Sequence, residues 1–279
     1  MGDLGQITML EFNARSDDSL REMMQHSNVV VNLMSKDFET RNFHFNDTNI
    51  DIAGKIAKIA RELKVPRLVH MSALGADMTS RSKFLRTKAA GEEVVKKEYP
   101  DVTILRPAQI YGREDRYFNY FSNLRFGGVV PLFYGDRKAV KQPVYVSDVA
   151  TAVMNVIKDR DTIGKTYELA GPHRYHLDEL VHYIFRITRR PYVYVPVPRV
   201  LLRSVARVFE ISYFDPWLSR DKLERYHTSE SIAPGMPGLE DLGVKVTSVE
   251  EAAIYGLRRH RADRYFEEAV GEAEPARHV

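Results

Sequence analysis

Asn28-Val-Val-Val-Asn-Leu-Met34 is followed by Asp47 to Lys64, which carries Ile50, Ile52, Ile56, Ile59, Ala60 and Leu63 at helical spacing, and then by Arg67-Leu-Val-His-Met-Ser72. The first run has almost no alternation of apolar and polar residues, which is how a strand buried on both faces of a parallel sheet reads. The middle run is long enough to be the crossover that parallel neighbours require, and Pro66 stops it before the next strand.

The same rhythm extends outward. Upstream, Ile7 to Phe12 reads as a strand, and Ser16 to Ser27 as a helix with Leu20, Met23 and Met24 on one side and Ser16 or Asp17 as its cap. Downstream come a helix from Ser82 to Tyr99, closed by Pro100, and the strand Val102-Thr-Ile-Leu-Arg-Pro107. An aromatic, Gly-bearing segment runs from Tyr117 to Tyr134. The strand Pro143-Val-Tyr-Val146, a helix from Asp148 to Lys158 and a last strand from Lys165 to Leu169 follow. This alternation predicts an α/β chain with a doubly wound, Rossmann-like parallel sheet. Beyond Gly171-Pro172 the rhythm is lost among Pro191, Pro196, Pro198, Pro216, Pro234 and Pro237, which predicts a sheet domain over 1–172 and a smaller, mainly helical lobe over 173–279.

Composition narrows the chemistry. The chain has no cysteine, which excludes a disulfide framework, a thiolate metal site and a cysteine nucleophile. Lys and Arg exceed Asp and Glu by 41 to 38, too small an excess to argue for nucleic acid. No apolar run reaches the roughly 18 residues that span a bilayer. His173, His176 and His182 lack the spacing of helical metal ligands, so no metal is expected. Arg258-Arg-His-Arg261 and Arg264 form a basic cluster that reads as a solvated face or as a contact for an acidic partner or anionic lipid headgroups.

Six segments carry a family resemblance: Asn28–Met34, His70-Met-Ser-Ala-Leu-Gly75, Lys88-Ala-Ala-Gly-Glu92, Leu105-Arg-Pro-Ala-Gln-Ile-Tyr-Gly112, Val144-Tyr-Val-Ser-Asp-Val149 and Tyr167-Glu-Leu-Ala-Gly-Pro172. In order and spacing they resemble the atypical extended short-chain dehydrogenase/reductases. The resemblance implies an NAD(P)-binding domain and a catalytic device of Ser, Tyr and Lys, with the Tyr four positions before the Lys on one helical face. The Ser polarises a carbonyl, the Tyr exchanges the proton, and the Lys lowers the phenol's pKa while holding the ribose. Ser72 and Lys88 match, but the Tyr position holds Phe84, which has no proton to give. Losing a positioned acid costs about 10² to 10⁴ in rate, so the device is expected to be vestigial. Without the match, Ser72 would read as a strand-end hydroxyl and Lys88 as a solvated charge. Tyr134-Gly-Asp-Arg-Lys138 has the literal spacing, but its Gly-Asp marks a turn rather than a helical face.

The resemblance further implies that Asn32, Leu33 and Met34 pass the adenosine and pyrophosphate, and that Pro107, Ala108, Gln109 and Ile110 line the nicotinamide. Pro107 reads equally well as punctuation at a strand exit. The C-terminal segments Arg207–Ser212, Pro216-Trp217, Pro237-Gly-Leu-Glu-Asp-Leu-Gly243 and Leu257–Arg261, with Tyr111–Arg116 and Lys141–Val146, resemble the accessory Rossmann-type subunits of the mitochondrial respiratory NADH:ubiquinone oxidoreductase. That resemblance implies a peripheral subunit on the matrix side of the inner membrane. Its partners would be other subunits of complex I, and it would hold NADPH structurally without electron transfer.

The family opens with a strand, a Gly-rich turn and a helix that cradles the pyrophosphate. Gly2 and Gly5 precede a strand rather than a helix and do not supply that turn, so the chain reads as N-terminally truncated. In the family's strand order the absent strands are expected to leave Arg67–Ser72 at an edge and Asn28–Met34 orphaned as an exposed apolar edge, an aggregation hazard. NADPH binding by this chain is then expected to be weak. Two competing readings are an NAD(P)H-dependent reductase or epimerase using Tyr111 or Tyr117 as its acid, and a redox-sensing nucleotide-binding regulator.

Overall fold

The computed structural model describes residues 7–123, 129–133, 138–211, 216, 218–261 and 273–279. Helix α1 (Asp17–Met24) starts at Ser16, whose hydroxyl accepts from the Ser19 amide, and leads to strand β1 (Val29–Asn32). A π-turn at Asp47–Asp51 opens α2 (Ile52–Glu62), and β2 (Arg67–Met71), α3 (Lys83–Glu98) and β3 (Thr103–Pro107) follow. Then come β4 (Ile110–Tyr111), α4 (Phe118–Ser122), β5 (Val129–Phe133), β6 (Val140–Lys141), β7 (Val144–Tyr145), α5 (Val146–Lys158) and β8 (Thr166–Leu169). The remainder is β9 (Tyr175–His176), α6 (Leu177–Ile187), β10 (Val193–Val197), α7 (Arg199–Phe209), α8 (Arg220–His227) and α9 (Val249–Leu257).

The main sheet runs β1-β2-β3-β8, all parallel. Its two faces are both covered, as the unbroken apolar runs require. On β2 and β3, Leu68 and Ile104 pack with Leu20, Ile56, Ile59 and Val95 from α1, α2 and α3. Val69 and Leu105 turn the other way, onto Val149, Ala152 and Val156 of α5 and onto Leu239 and Leu242 from far along the chain. Each fully buried aliphatic side chain stabilises by about 1.5–3 kcal/mol. A separate aromatic core joins Tyr111, Phe118 and Phe121 to Leu180, Ile184, Tyr226, Val249 and Leu257. Residues that precede β8, Tyr111 and Phe121 among them, thus supply part of the packing under the C-terminal helices.

Three expectations are corrected. Ile7–Phe12 forms no strand, and Ile7, Met9 and Leu10 are exposed, although β1 leaves one edge of the main sheet open. Asn28–Met34 is not orphaned: β1 pairs directly with β2 in the register Val29↔Arg67 to Asn32↔His70. Helix α2 supplies the crossover, so β2 is an interior strand and β1 the margin. Being marginal, Val29, Val30 and Val31 are half-buried rather than enclosed on both faces. The Tyr134–Arg137 part of the literal Tyr-x-x-x-Lys match, Gly2, Gly5 and Arg264 lie outside the described residues.

Helices α2 and α3 meet through backbone. A Cβ added at Gly91 would stand 2.0 Å from the Asn49 carbonyl oxygen, which no real contact tolerates. Nearby, the Asn49 amide donates to Thr87 Oγ1 at 2.9 Å. Gly91→Ala is expected to lower stability by about 3 kcal/mol or more through overpacking, read as a shift in the urea midpoint. An unshifted midpoint would mean that α3 slides without cost.

Candidate functional site

The carboxyl ends of β1, β2 and β3 open into one cavity of about 670 Å³. Parallel strands place all such ends on one side of the sheet, so the residues following each strand converge there. Ser72 and Leu74 prolong the ladder past β2: their amides donate to the Leu105 and Pro107 carbonyls at 2.7 and 2.8 Å. Past β3 the Ala108 amide donates to the Leu169 carbonyl at 2.8 Å. Helix α3 turns Phe84 and Lys88 into the cavity one helical turn apart. Ser82 caps this helix, and Asp221 of α8 adds a carboxylate that accepts from the Lys83 amide at 2.6 Å.

Of the residues singled out in the sequence, Leu33, Ser72, Phe84, Lys88, Pro107, Ala108, Gln109 and Ile110 line this cavity. Asn32 and Met34 line a smaller apolar cavity of about 370 Å³ beside β1. The Asn32 amide is committed at both ends: its oxygen accepts from the Met34 amide at 3.0 Å, and its nitrogen faces His70 Nδ1 at 3.1 Å.

The Ser72 hydroxyl is buried with no hydrogen-bond partner. Beside it the Lys88 ammonium donates to the Met71 carbonyl at 3.0 Å. Burial pulls the Lys88 pKa down to about 8; Glu92 opposes the shift and Arg225 adds to it. On α3 the Phe84 ring meets Phe45 edge-on at 5.7 Å and carries the Arg225 guanidinium 4.4 Å over its face. The Lys88 nitrogen lies 5.7 Å from the same ring.

Sequence reasoning did not find the charged groups that close the cavity from the C-terminal side. Arg225 donates to the Asp37 carboxylate, which also faces the Lys222 ammonium at 3.4 Å. Burial works against the Asp37 carboxylate, but Arg225 and Lys222 outweigh it and hold its pKa below the ordinary value. Glu230 pairs with the fully buried Lys141 ammonium at 3.2 Å and accepts from the Gln109 amide at 3.4 Å. Arg225 and Asp37 stand 188 positions apart, so no local pattern announces their pairing. Tyr111 donates to the Ser248 carbonyl at 2.9 Å and stacks on Phe118, which makes it structural. Tyr117 also lines the cavity, and its buried hydroxyl has no partner. Among the described residues no group of His, Asp or Glu is placed to hold a metal ion.

His70 gives the site a pH dependence. The Asn32 nitrogen can only donate, so His70 Nδ1 accepts, and the neutral ring carries its proton on Nε2. Burial, with the Lys88 charge nearby, pushes the imidazole down to about 3. The unfolded ring titrates near pH 6.5. Unfolding therefore takes up a proton below that value: stability is unaffected above about pH 6.5 and falls towards pH 3 by at most about 1.4 kcal/mol per unit. His70→Gln is expected to lose less stability between pH 7 and pH 5 than the wild type, measured by urea unfolding. Equal losses would show that the ring protonates without opening the fold.

A family model described as NAD(P)H-binding matches residues 2–160. The rat protein named NADH dehydrogenase [ubiquinone] 1 alpha subcomplex subunit 9, mitochondrial, is 47% identical over 279 residues, covering 100% of this chain and 74% of that one. The NADH-ubiquinone oxidoreductase 40 kDa subunit of Neurospora crassa is 33% identical over 266 residues, covering 95% and 70%. Among solved structures, a nucleoside-diphosphate-sugar epimerase from Staphylococcus aureus superposes with a TM-score of 0.64 at 16% identity, covering 93% of this chain and 81% of that one. A dTDP-4-dehydrorhamnose reductase from Bacillus anthracis, solved in complex with NADP, gives 0.56 at 15% identity over 83% and 85%. These structures share the fold, a parallel sheet flanked by helices. By identity and coverage together, the chain belongs to the family of NADH dehydrogenase [ubiquinone] 1 alpha subcomplex subunit 9, built on an NAD(P)-binding Rossmann-like fold.

Proposed function

We propose that the chain is a non-catalytic accessory subunit of the mitochondrial respiratory NADH:ubiquinone oxidoreductase. In this reading it supports assembly and stability of the peripheral arm near the membrane junction, on the matrix side of the inner membrane. The observation that carries the absence of catalysis is Phe84. The position that needs an acidic proton holds a hydrocarbon ring, packed between Phe45 and the Arg225 guanidinium. The chain's relatives are named as subunits of that complex. Among the described residues no helix is long and apolar enough to cross a membrane, which agrees with a peripheral seat.

The residues present fit one end of a nicotinamide dinucleotide. An unpartnered Ser72 hydroxyl and the Lys88 ammonium stand where a ribose and carboxamide could take their hydrogen bonds, with Pro107, Ala108, Gln109 and Ile110 along the same wall. Leu33 faces the cavity, while Asn32 and Met34 would shape the loop on the adenosine side. The diphosphate end does not fit. Among the described residues no glycine-rich turn opens a helix towards the cavity, and the N-terminus of α3 is already filled by Asp221. NADPH, which supplies a hydride donor when bound, is here assigned a structural role, in a form that also carries a phosphate-binding turn. Within this chain, Ser72 would orient and Lys88 would neutralise, and no group at position 84 moves a proton.

The competing reading is a reductase that uses Tyr117, and it rests on the unpartnered hydroxyl. Burial, with Glu230 and Asp115 nearby, raises that phenol far above its ordinary range, which makes it a poor proton donor at neutral pH.

Three outcomes are expected. A fluorescence titration with NADPH should show no saturation in the micromolar range; saturable micromolar binding by folded monomer would overturn the doubt about the diphosphate end. Phe84→Tyr should yield no carbonyl reduction, whereas a gain would reveal an otherwise complete catalytic site. On a native gel of detergent-solubilised mitochondria, antibody against α9 should report this protein within the respiratory complex, and a free species elsewhere would return the reductase or sensor readings.

A further inference from the structure

A second cavity, of about 710 Å³, is lined by Arg113, Arg258, Arg259 and Arg261, with Tyr145 and Tyr255 as aromatic wall; Arg261 is buried and donates to the Ile187 carbonyl at 3.1 Å, which leaves the other three to face the opening. Its geometry is set by a backbone contact. A Cβ added at Gly256 would stand 2.5 Å from the Gly112 carbonyl oxygen and 3.3 Å from the Arg113 nitrogen, so α9 lies directly against the 112–113 peptide. That contact brings Arg258 and Arg259, on the turn following α9, alongside Arg113 from a distant part of the chain.

Like charges gathered this way repel one another; all three side chains are exposed, so water screens the repulsion, and an anion that bridges them would relieve it further. Three carboxylates nearby are committed elsewhere: Glu250 accepts from the Tyr175 hydroxyl at 2.9 Å, Glu251 closes the capping box of α9, and Asp115 accepts from the Gly112, Tyr117 and Asn119 amides. No carboxylate among the described residues comes within ion-pair distance of Arg113, Arg258 or Arg259. The carboxyl end of α9 offers only about half an elementary charge, against three guanidinium groups. Arg259 bonds sideways to His260 Nε2 at 3.2 Å, which fixes its direction without neutralising it.

We propose that this cavity is a binding site for a phosphate-bearing anion. Guanidinium forks match phosphate oxygens in pairs, and three of them converging from two elements suit a group with several acceptor oxygens and more than one charge. A single carboxylate would leave most of that charge unanswered. The two tyrosines provide ring faces and hydroxyls at the rim, with Tyr255 well exposed. The phosphate belongs either to a free diphosphate-type ligand or to an anionic lipid headgroup. The site meets the Ser72–Lys88 cavity at Arg113, which lines both, and Arg258 and Arg259 belong to it alone.

The test uses the full chain and two probes: inorganic pyrophosphate, followed by calorimetry, and vesicles of equal parts phosphatidylcholine and phosphatidylglycerol, followed by co-sedimentation. The Arg258→Gln/Arg259→Gln double variant and the separate Arg113→Gln variant are compared with wild type, with circular dichroism and thermal melting as fold controls. Saturable pyrophosphate binding that weakens at least tenfold in both variants, and with added salt, supports the site with a free ligand. Co-sedimentation that is lost in both variants supports it with a lipid headgroup. The proposal is overturned if wild type binds neither probe, or if correctly folded variants bind as wild type does.

Discussion

Parallel strands cannot be joined by a tight turn, and nearly everything else about this molecule depends on that constraint. Each strand of the main sheet must be followed by a helix that returns the chain to the opposite end before the next strand begins. All four carboxyl ends therefore face the same way, and the residues that follow them, Leu33, Ser72 and Pro107 to Ile110, are gathered without any attraction between them. The site is a consequence of connectivity before it is a consequence of side-chain chemistry.

Charge is what closes the site. Arg225 is brought from α8 to a position over the Phe84 ring, out of water, and its burial is tolerated because Asp37 meets it there. Removing either partner would leave an isolated buried charge, which costs far more than the pair contributes. Lys141 and Glu230 repeat the arrangement on the neighbouring wall. The C-terminal helices are thus held to the sheet domain by apolar packing under Tyr226 and Val249 and also by ion pairs that make sense only when the two parts are docked. Phe84 fits this setting, because its ring offers a face to the guanidinium.

The elements of the sheet were readable because their patterns are local. Ser16 caps its helix as its position before an apolar period suggests, and Pro66 and Pro100 stand where helices have ended. The order of strands was not readable in the same way, since β1 and β2 read identically whether they are neighbours or separated. Ile7–Phe12 shows the other limit: an apolar run is a strand only if its backbone pairs with a ladder, and this one stays unpaired although β1 leaves an edge open. Asp37, Arg225, Glu230 and Lys141 gave no signal, because a buried ion pair between distant residues looks in sequence like two ordinary surface charges.

The α/β rhythm and the family were legible in the sequence alone, because periodicity, motif spacing and residue identity are properties of neighbouring positions. Only the tertiary structure decided which strand is the margin, that the Asn32 amide is spent on His70, that Arg225 closes the cavity over Phe84, and that Gly256 against Gly112 gathers three arginines around a second cavity. Desolvation and charge pairing depend on distance in space, and that distance exists only once the chain has folded.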